Sequence, residues 1–183
     1  MKRPVMILLA LGLVGVSIPL FWAGTHSAIK ATSDHKFCGS CHSMEPMVTS
    51  FLADTHGGNN AGGIQATCAQ CHLPHTGPLR YLMQKSINGA WDVWKEHIVG
   101  ADDVDWQKKR ERREEFTYNS GCLSCHNALD SSAGGRHATW IAHQPMLEDG
   151  INLDDPDDSC VACHQHVGHK NLTEALNSVR NNP

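Results

Sequence analysis

The stretch Cys38-Gly39-Ser40-Cys41-His42-Ser43-Met44 holds two thiols three positions apart, an imidazole directly after the second, and a thioether two residues further on. This Cys-x-x-Cys-His spacing suits covalent attachment of a c-type haem. Both thiols can add to the vinyl groups of one porphyrin, and the histidine then falls under the iron as an axial ligand. The pattern returns at Cys68–His72 with Cys71, at Cys122–His126 with Cys125, and at Cys160–His164 with Cys163. The copies use all 8 cysteines. From the chain's own Cys and His frequencies, about 0.02 matches are expected by chance. A disulfide scaffold or a pair of four-cysteine zinc sites gives no reason for a histidine behind every pair. The motifs predict a multihaem cytochrome c organised around four covalent haems.

Those haems dictate the kind of fold that must hold them. A chain of 183 residues suggests one domain beyond any membrane segment. Fewer than about 40 residues then surround each haem, so the interior must be largely porphyrin wrapped by helices and loops. The expected class is mainly α with long loops, plus one N-terminal transmembrane helix. Aromatic residues make up only 6% of the chain, which agrees with a core supplied by cofactor. The net charge of −4, without a basic tract, excludes nucleic acid as a partner.

Val5–Ala23 is a run of 19 uncharged residues behind Lys2 and Arg3. At about 1.5 Å per residue it spans roughly 28 Å, close to a bilayer's hydrocarbon thickness. Phe21 and Trp22 would sit at the far interface, and the positive-inside rule puts the N-terminus in the cytoplasm. Small residues at Ala23, Gly24, Ser27 and Ala28 also permit a cleaved signal peptide. Signal h-regions of about 7–15 residues are shorter than this run, which favours a retained anchor. Gly12 and Gly15 offer a small-residue face for helix contacts. The expected division is an anchor with a short linker at 1–29 and a periplasmic tetrahaem domain at 30–183. That places the chain in a bacterial inner membrane as a single-pass protein. His26–Phe37 reads as a polar connector, so the first haem lies near the membrane surface.

Further along, Asn59–Gly63 reads as a loop. Leu73–Pro78 breaks the chain and launches a helix with Pro78 in its first turn and Gly100 past its end. Leu79, Leu82, Met83, Ile87, Trp91, Trp94 and Ile98 form one apolar face of that helix, suited to packing against haem or lying on a membrane. Lys108–Glu115 reads as a solvated helical face with i,i+4 pairs. Asn127–Ser159 is loop-rich, and a short helix is expected near Leu172–Val179.

Of 13 histidines, those outside the motifs are His26, His35, His56, His75, His97, His137, His143, His166 and His169. Low-spin haems need a sixth ligand, commonly imidazole, so at most four of these serve. His75 and His166 follow their own motifs too closely to reach the opposite side of their own haems.

With these features the chain resembles the membrane-anchored tetrahaem quinol dehydrogenases of the NapC/NrfH/NirT family. The resemblance covers nearly the whole length. It rests on the anchor, the four motifs, Cys-x-x-Cys-His-x-Met at the first, Cys-His-x-Pro-His at Cys71–His75, and the spacing of His164 and His169. It implies that Met44 binds the first iron in place of His42, although His42 ligation with Met44 packed alongside stays open. It implies a quinol site at Lys85 and Asp92, which seven-residue spacing puts on one helix face. His72, His126 and His164 are the other motif ligands. For the distal ligands it implies His56 for the fourth haem, His169 for the third and His143 for the second. His137, His97 or a residue from a partner are rivals for that last place.

The expected activity is therefore oxidation of menaquinol or ubiquinol near the first haem. Electrons would pass through the four haems to a periplasmic multihaem or molybdenum reductase, one acting on nitrate or nitrite. The expected assembly is a homo-oligomer within a complex with that reductase. The alternatives are a shuttle or storage cytochrome without a quinone site, a haem-based reductase in its own right, and reverse flow into the quinone pool.

Overall fold

The computed structural model describes residues 3–101, 104–127, 143–144 and 158–180. Helix α1 (Arg3–Ala31) is apolar around its whole circumference and buries none of its residues, so it is long and apolar enough to cross a membrane. It runs past the expected boundary at 29, taking His26 into the helix. Nothing after Gly24 breaks it, and Ala28, Lys30 and Ala31 all favour helix. Thr32 ends it, with N–H and hydroxyl both donating to the Ala28 carbonyl at 3.1 and 2.8 Å.

Asp34 caps α2 (His35–Cys38) by accepting from the amides of Lys36 and Phe37. A 3-10 turn at His42–Met44 leads into α3 (Glu45–Leu52). Thr67 and Gln70 form a reciprocal capping box at the start of α4 (Cys68–His72). Helix α5 (Pro78–Trp94) begins at the expected proline, continues as a π-helical turn over Lys95–Val99, and stops at Gly100, whose φ of 91° favours glycine. The charged run divides into α6 (Trp106–Glu111) and a 3-10 turn at Arg113–Glu115, because Arg112 leaves helical geometry. Its described ion pairs are Arg112–Glu115 at i,i+3 and Arg113–Glu114 between neighbours, rather than i,i+4 pairs. The remaining helices with described limits are α7 (Asn119–Cys125), α8 (Cys160–Cys163) and α9 (Leu172–Arg180). Among the described residues there is no strand, only an isolated bridge between Gly57 and Gln65.

The side-chain core is small: Phe51, Ala69, Leu73, Val161, Leu172 and Leu176 are its main apolar members. Helix α9 packs on α3, with Ser50 donating to the Lys170 carbonyl at 3.0 Å. The motifs themselves are linked by hydrogen bonds. The Ala69 amide donates to Ser33 O at 3.1 Å, and the Tyr118 amide to Cys71 O at 3.0 Å. The His75 amide donates to Ser120 Oγ at 2.9 Å. Asn119, which is buried, donates to Asp158 O and accepts from the Cys160 amide, both at 2.9 Å.

Where α4 crosses α7, a Cβ on Gly121 would meet Gln70 O at 1.9 Å. Gly121→Ala should therefore cost about 1–3 kcal/mol by overpacking. Gly89→Ala, with nothing within 4 Å, should instead stabilise α5 by about 0.5–1 kcal/mol. Thermal melts of the detergent-solubilised holoprotein should move in opposite directions for the two variants.

Candidate functional site

The four motifs adopt two backbone forms. In the second, third and fourth, both cysteines lie within one short helix and the histidine closes or caps it. The His126 and His164 amides bond back to the carbonyls of Cys122 and Cys160, each at 2.9 Å. At the first motif the helix stops at Cys38, Cys41 is extended (φ −92°, ψ 131°), and His42 begins a separate turn. Gly39 and Ser40 are the break between them.

All eight thiols are free, so the cysteines form no disulfide framework. They do lie close: Cys38 against Cys68, and Cys122 against Cys160, at hydrogen-bonding range. The motifs are thus drawn into a first–second pair and a third–fourth pair.

Three motif histidines each face a second imidazole. His72 and His169 have ring centres 6.1 Å apart, His126 and His56 6.2 Å, and His164 and His143 6.0 Å with planes only 8° from parallel. Two metal–nitrogen bonds of about 2 Å, plus about 1 Å from each nitrogen to its ring centre, give about 6 Å. The gaps therefore fit a six-coordinate haem iron. Ring orientation fits as well. Nδ1 of His72 donates to Phe116 O at 2.7 Å, Nδ1 of His169 to Met47 O at 3.2 Å, and Nδ1 of His56 meets Asp54 Oδ1 at 3.2 Å. Each leaves Nε2 to face the opposite ring. Burial holds His72 below the usual imidazole range and His169 down to about 4, keeping both neutral as a metal ligand requires.

These pairings differ from the order the resemblance implies. His56 lies by the third motif rather than the fourth, His169 by the second rather than the third, and His143 by the fourth rather than the second. The cause is local anchoring: buried Asp54 turns His56 toward α7, and the α3 backbone carbonyl at Met47 turns His169 toward α4. His97 is exposed on the π-helical turn, and His137 lies outside the described residues. His75 stands edge-on to Tyr81, 5.6 Å between ring centres, and His166 accepts from Arg110 at 2.9 Å.

Helix α5 has two faces. Its exposed apolar side chains include Leu79, Met83, Ile87 and Trp94. At about 100° per residue, Lys85, Asp92 and Glu96 lie on the opposite side. That side is turned to the first motif: Lys85 and Asp92 act electrostatically on Cys38, and Asp92 and Glu96 on Cys41. Lys85 Nζ donates to Thr32 O at 2.7 Å and to Ser33 Oγ at 3.1 Å. Desolvation lowers the Lys85 pKa and raises that of Asp92, with Lys109 and His72 partly opposing the latter. A shallow groove of about 430 Å³ at the head of α5, lined by Leu79, Met83 and Ile87, opens on the apolar face and contains neither Lys85 nor Asp92.

Sequence reasoning passed over Glu96. Its carboxylate is 6% exposed, accepts from Ser43 Oγ at 2.6 Å, and pairs with His42 Nδ1 at 2.6 Å. The Ser43 bond and the His42 charge hold it below the usual carboxylate range against the effect of burial. Its i+4 spacing from Asp92 was the available signal.

Four haem-binding motifs on short helices, three of them facing a second imidazole, beside an apolar membrane-length helix, define a tetrahaem c-type cytochrome. The N-terminal region of the NapC/NirT cytochrome c family matches residues 1–174, and the chain belongs to that family. It is 31% identical over 179 residues to a putative tetraheme cytochrome-c type protein of Allochromatium vinosum, covering 91% of this chain and 90% of that one. It is 26% identical to cytochrome c-type protein NapC of Escherichia coli, over 89% of this chain and 80% of the relative. Against the same organism's TorC identity is 27% over 93% of this chain, which spans only 44% of TorC. A chain in the crystal structure of the cytochrome c nitrite reductase NrfHA complex bound to the HQNO inhibitor shares the fold, with a TM-score of 0.55 at 24% identity. The match covers 87% of this chain and 90% of that one. Family membership implies c-type haems at the four motifs.

The Asn119 amide joins the third motif to the fourth. Asn119→Ala leaves the Asp158 carbonyl and Cys160 amide without it, at a cost of about 1–3 kcal/mol. Circular dichroism in the haem absorption region should show weakened coupling between one pair of haems.

Proposed function

We propose that this chain is a membrane-anchored quinol dehydrogenase subunit that passes electrons to a reductase on the far side of the bilayer. The observation that carries the reading is the inward face of α5, where Lys85 and Asp92 stand against the first motif next to the top of α1. Quinol oxidation removes two electrons and two protons. When bound, the four haems supply one-electron acceptance and transfer over the length of the domain.

The chain's own residues do the rest. Lys85 exchanges its bond to the Thr32 carbonyl for one to a quinol oxygen and so orients the headgroup. Asp92, with its pKa raised by desolvation, is better able to accept a proton from that headgroup than an ordinary carboxylate. The apolar face of α5 lies along the membrane surface and keeps the site within reach of the quinol pool. Met44 would hold the iron at the first motif. The ring gaps support His72 with His169, His126 with His56, and His164 with His143 as the other ligand sets. With Lys2 and Arg3 on the cytoplasmic side, the tetrahaem domain faces the periplasm. The shared fold with a chain of a nitrite reductase complex supports a multihaem or molybdenum reductase as acceptor.

Single replacements His56→Ala, His143→Ala and His169→Ala should each turn one low-spin haem of the four high-spin in electron paramagnetic resonance. In a chain lacking the fourth haem through Cys160→Ser and Cys163→Ser, His143→Ala should change nothing more. Loss of a further low-spin haem there would assign His143 elsewhere.

Quinol-driven haem reduction in liposomes tests the main reading. Asp92→Asn should slow it about 100-fold, the lower end of a positioned proton acceptor's contribution. Lys85→Met should weaken apparent quinol affinity. The wild-type rate should rise with pH as the Asp92 carboxyl, its pKa displaced upward, loses its proton, and Asp92→Asn should flatten that rise. Unchanged rates in both variants would refute the site.

A further inference from the structure

The first motif is the only one of the four whose described backbone leaves the helical turn, and its histidine is held by a carboxylate on another helix. At the third and fourth motifs the histidine amide bonds back to the carbonyl of the first cysteine. At the first, Cys41 is extended and His42–Met44 forms its own turn, closed by the Met44 amide donating to Cys41 O at 3.1 Å. His42 therefore does not occupy the position its counterparts hold relative to their cysteines. Its Nδ1 meets Glu96 Oε1 at 2.6 Å, while Ser43 Oγ donates to Glu96 Oε2, also at 2.6 Å. One largely buried carboxylate thus engages two consecutive residues of the unwound segment with both of its oxygens. Glu96 reaches them from the π-helical turn at the end of α5, the same helix that presents Lys85 and Asp92.

We propose that Glu96 is a positioning residue that selects the axial ligand of the first haem: by holding His42 and Ser43 it keeps the motif unwound, withholds His42 from the iron and leaves Met44 to bind it. The inference rests on the Met44 reading and adds its cause. A Cys-x-x-Cys-His segment has a ready alternative, the helical turn taken by the other three motifs. That turn would carry His42 under the iron and displace the thioether. Two charge-assisted hydrogen bonds to one carboxylate oppose this rewinding. The choice matters to function because thioether ligation raises the potential of a haem relative to imidazole, and α5 would set that potential through Glu96 while presenting Lys85 and Asp92.

The test uses the full-length holoprotein in detergent. Wild type should show the far-red thioether-to-ferric-iron charge-transfer band from one haem of four. In Glu96→Ala that band should be lost, near-infrared magnetic circular dichroism should show imidazole on all four haems, and one midpoint potential should fall. Glu96→Gln keeps acceptor oxygen but not charge, and should give a mixture of thioether- and imidazole-ligated first haem. An unchanged band and potential in Glu96→Ala would overturn the proposal. If Glu96→Ala does not accumulate with four haems, a pure thioether signature in Glu96→Gln overturns it. Absence of the band from wild type itself would instead remove the Met44 reading, and with it this inference.

Discussion

Three motif histidines each face a second imidazole at about 6 Å between ring centres, the gap that a haem iron between two imidazoles would fill. Each pair joins a motif histidine to one outside the motifs, and two of these partners, His169 and His56, have an anchor of their own. His169 hangs from the Met47 carbonyl on α3, which is why α9 must pack there. His56 is turned by Asp54, whose carboxylate also accepts from the His56 amide at 2.8 Å. Among the described residues the buried apolar side chains are few, and one of them, Phe51, lies against the His169 ring with 6.4 Å between ring centres. So small a side-chain core cannot stabilise the chain alone, and haem ligation would then be the principal source of stability.

The first motif is the exception, and its environment explains why. It lies between the end of α1 and the charged face of α5, with Thr32 and Ser33 bonded to Lys85 and with His42 and Ser43 bonded to Glu96. A carboxylate, Glu96, meets the first motif's histidine, whereas a second imidazole faces the histidine of each other motif. A single helix thus presents an apolar side outward and a charged side inward, and the charged side contacts both the motif and the residues that follow the membrane helix.

What could be read from the sequence was local. Haem attachment is written in five consecutive residues. The limits of α5 are marked by Pro78, which fits a first turn, and by Gly100, whose left-handed backbone ends it. The pairing of Lys85 with Asp92 follows from helical period. The order of the histidine pairs was not legible in this way, because it is set by loops that double back and by carbonyls whose positions depend on the whole fold. His143 shows the difficulty: nothing in its neighbours marks the fourth motif rather than the second. Glu96 was missed because the π turn and the unwound motif become evident only when two distant segments meet. The length of α1 was underestimated because polarity was read as the end of a helix, whereas polarity ends only the membrane-compatible part.

That last difference has a mechanical consequence. At about 1.5 Å per residue α1 is about 43 Å long, roughly 13 Å more than a bilayer's hydrocarbon thickness. Its last two turns therefore form a stiff post rather than a tether, and the residue that ends the post, Thr32, is bonded to Lys85. In a bilayer the height and tilt of the first motif would be set by a rod, not by a flexible linker. A thicker or thinner bilayer that tilts α1 would swing Lys85 with it, so the membrane's own dimensions would become part of the geometry around the first motif.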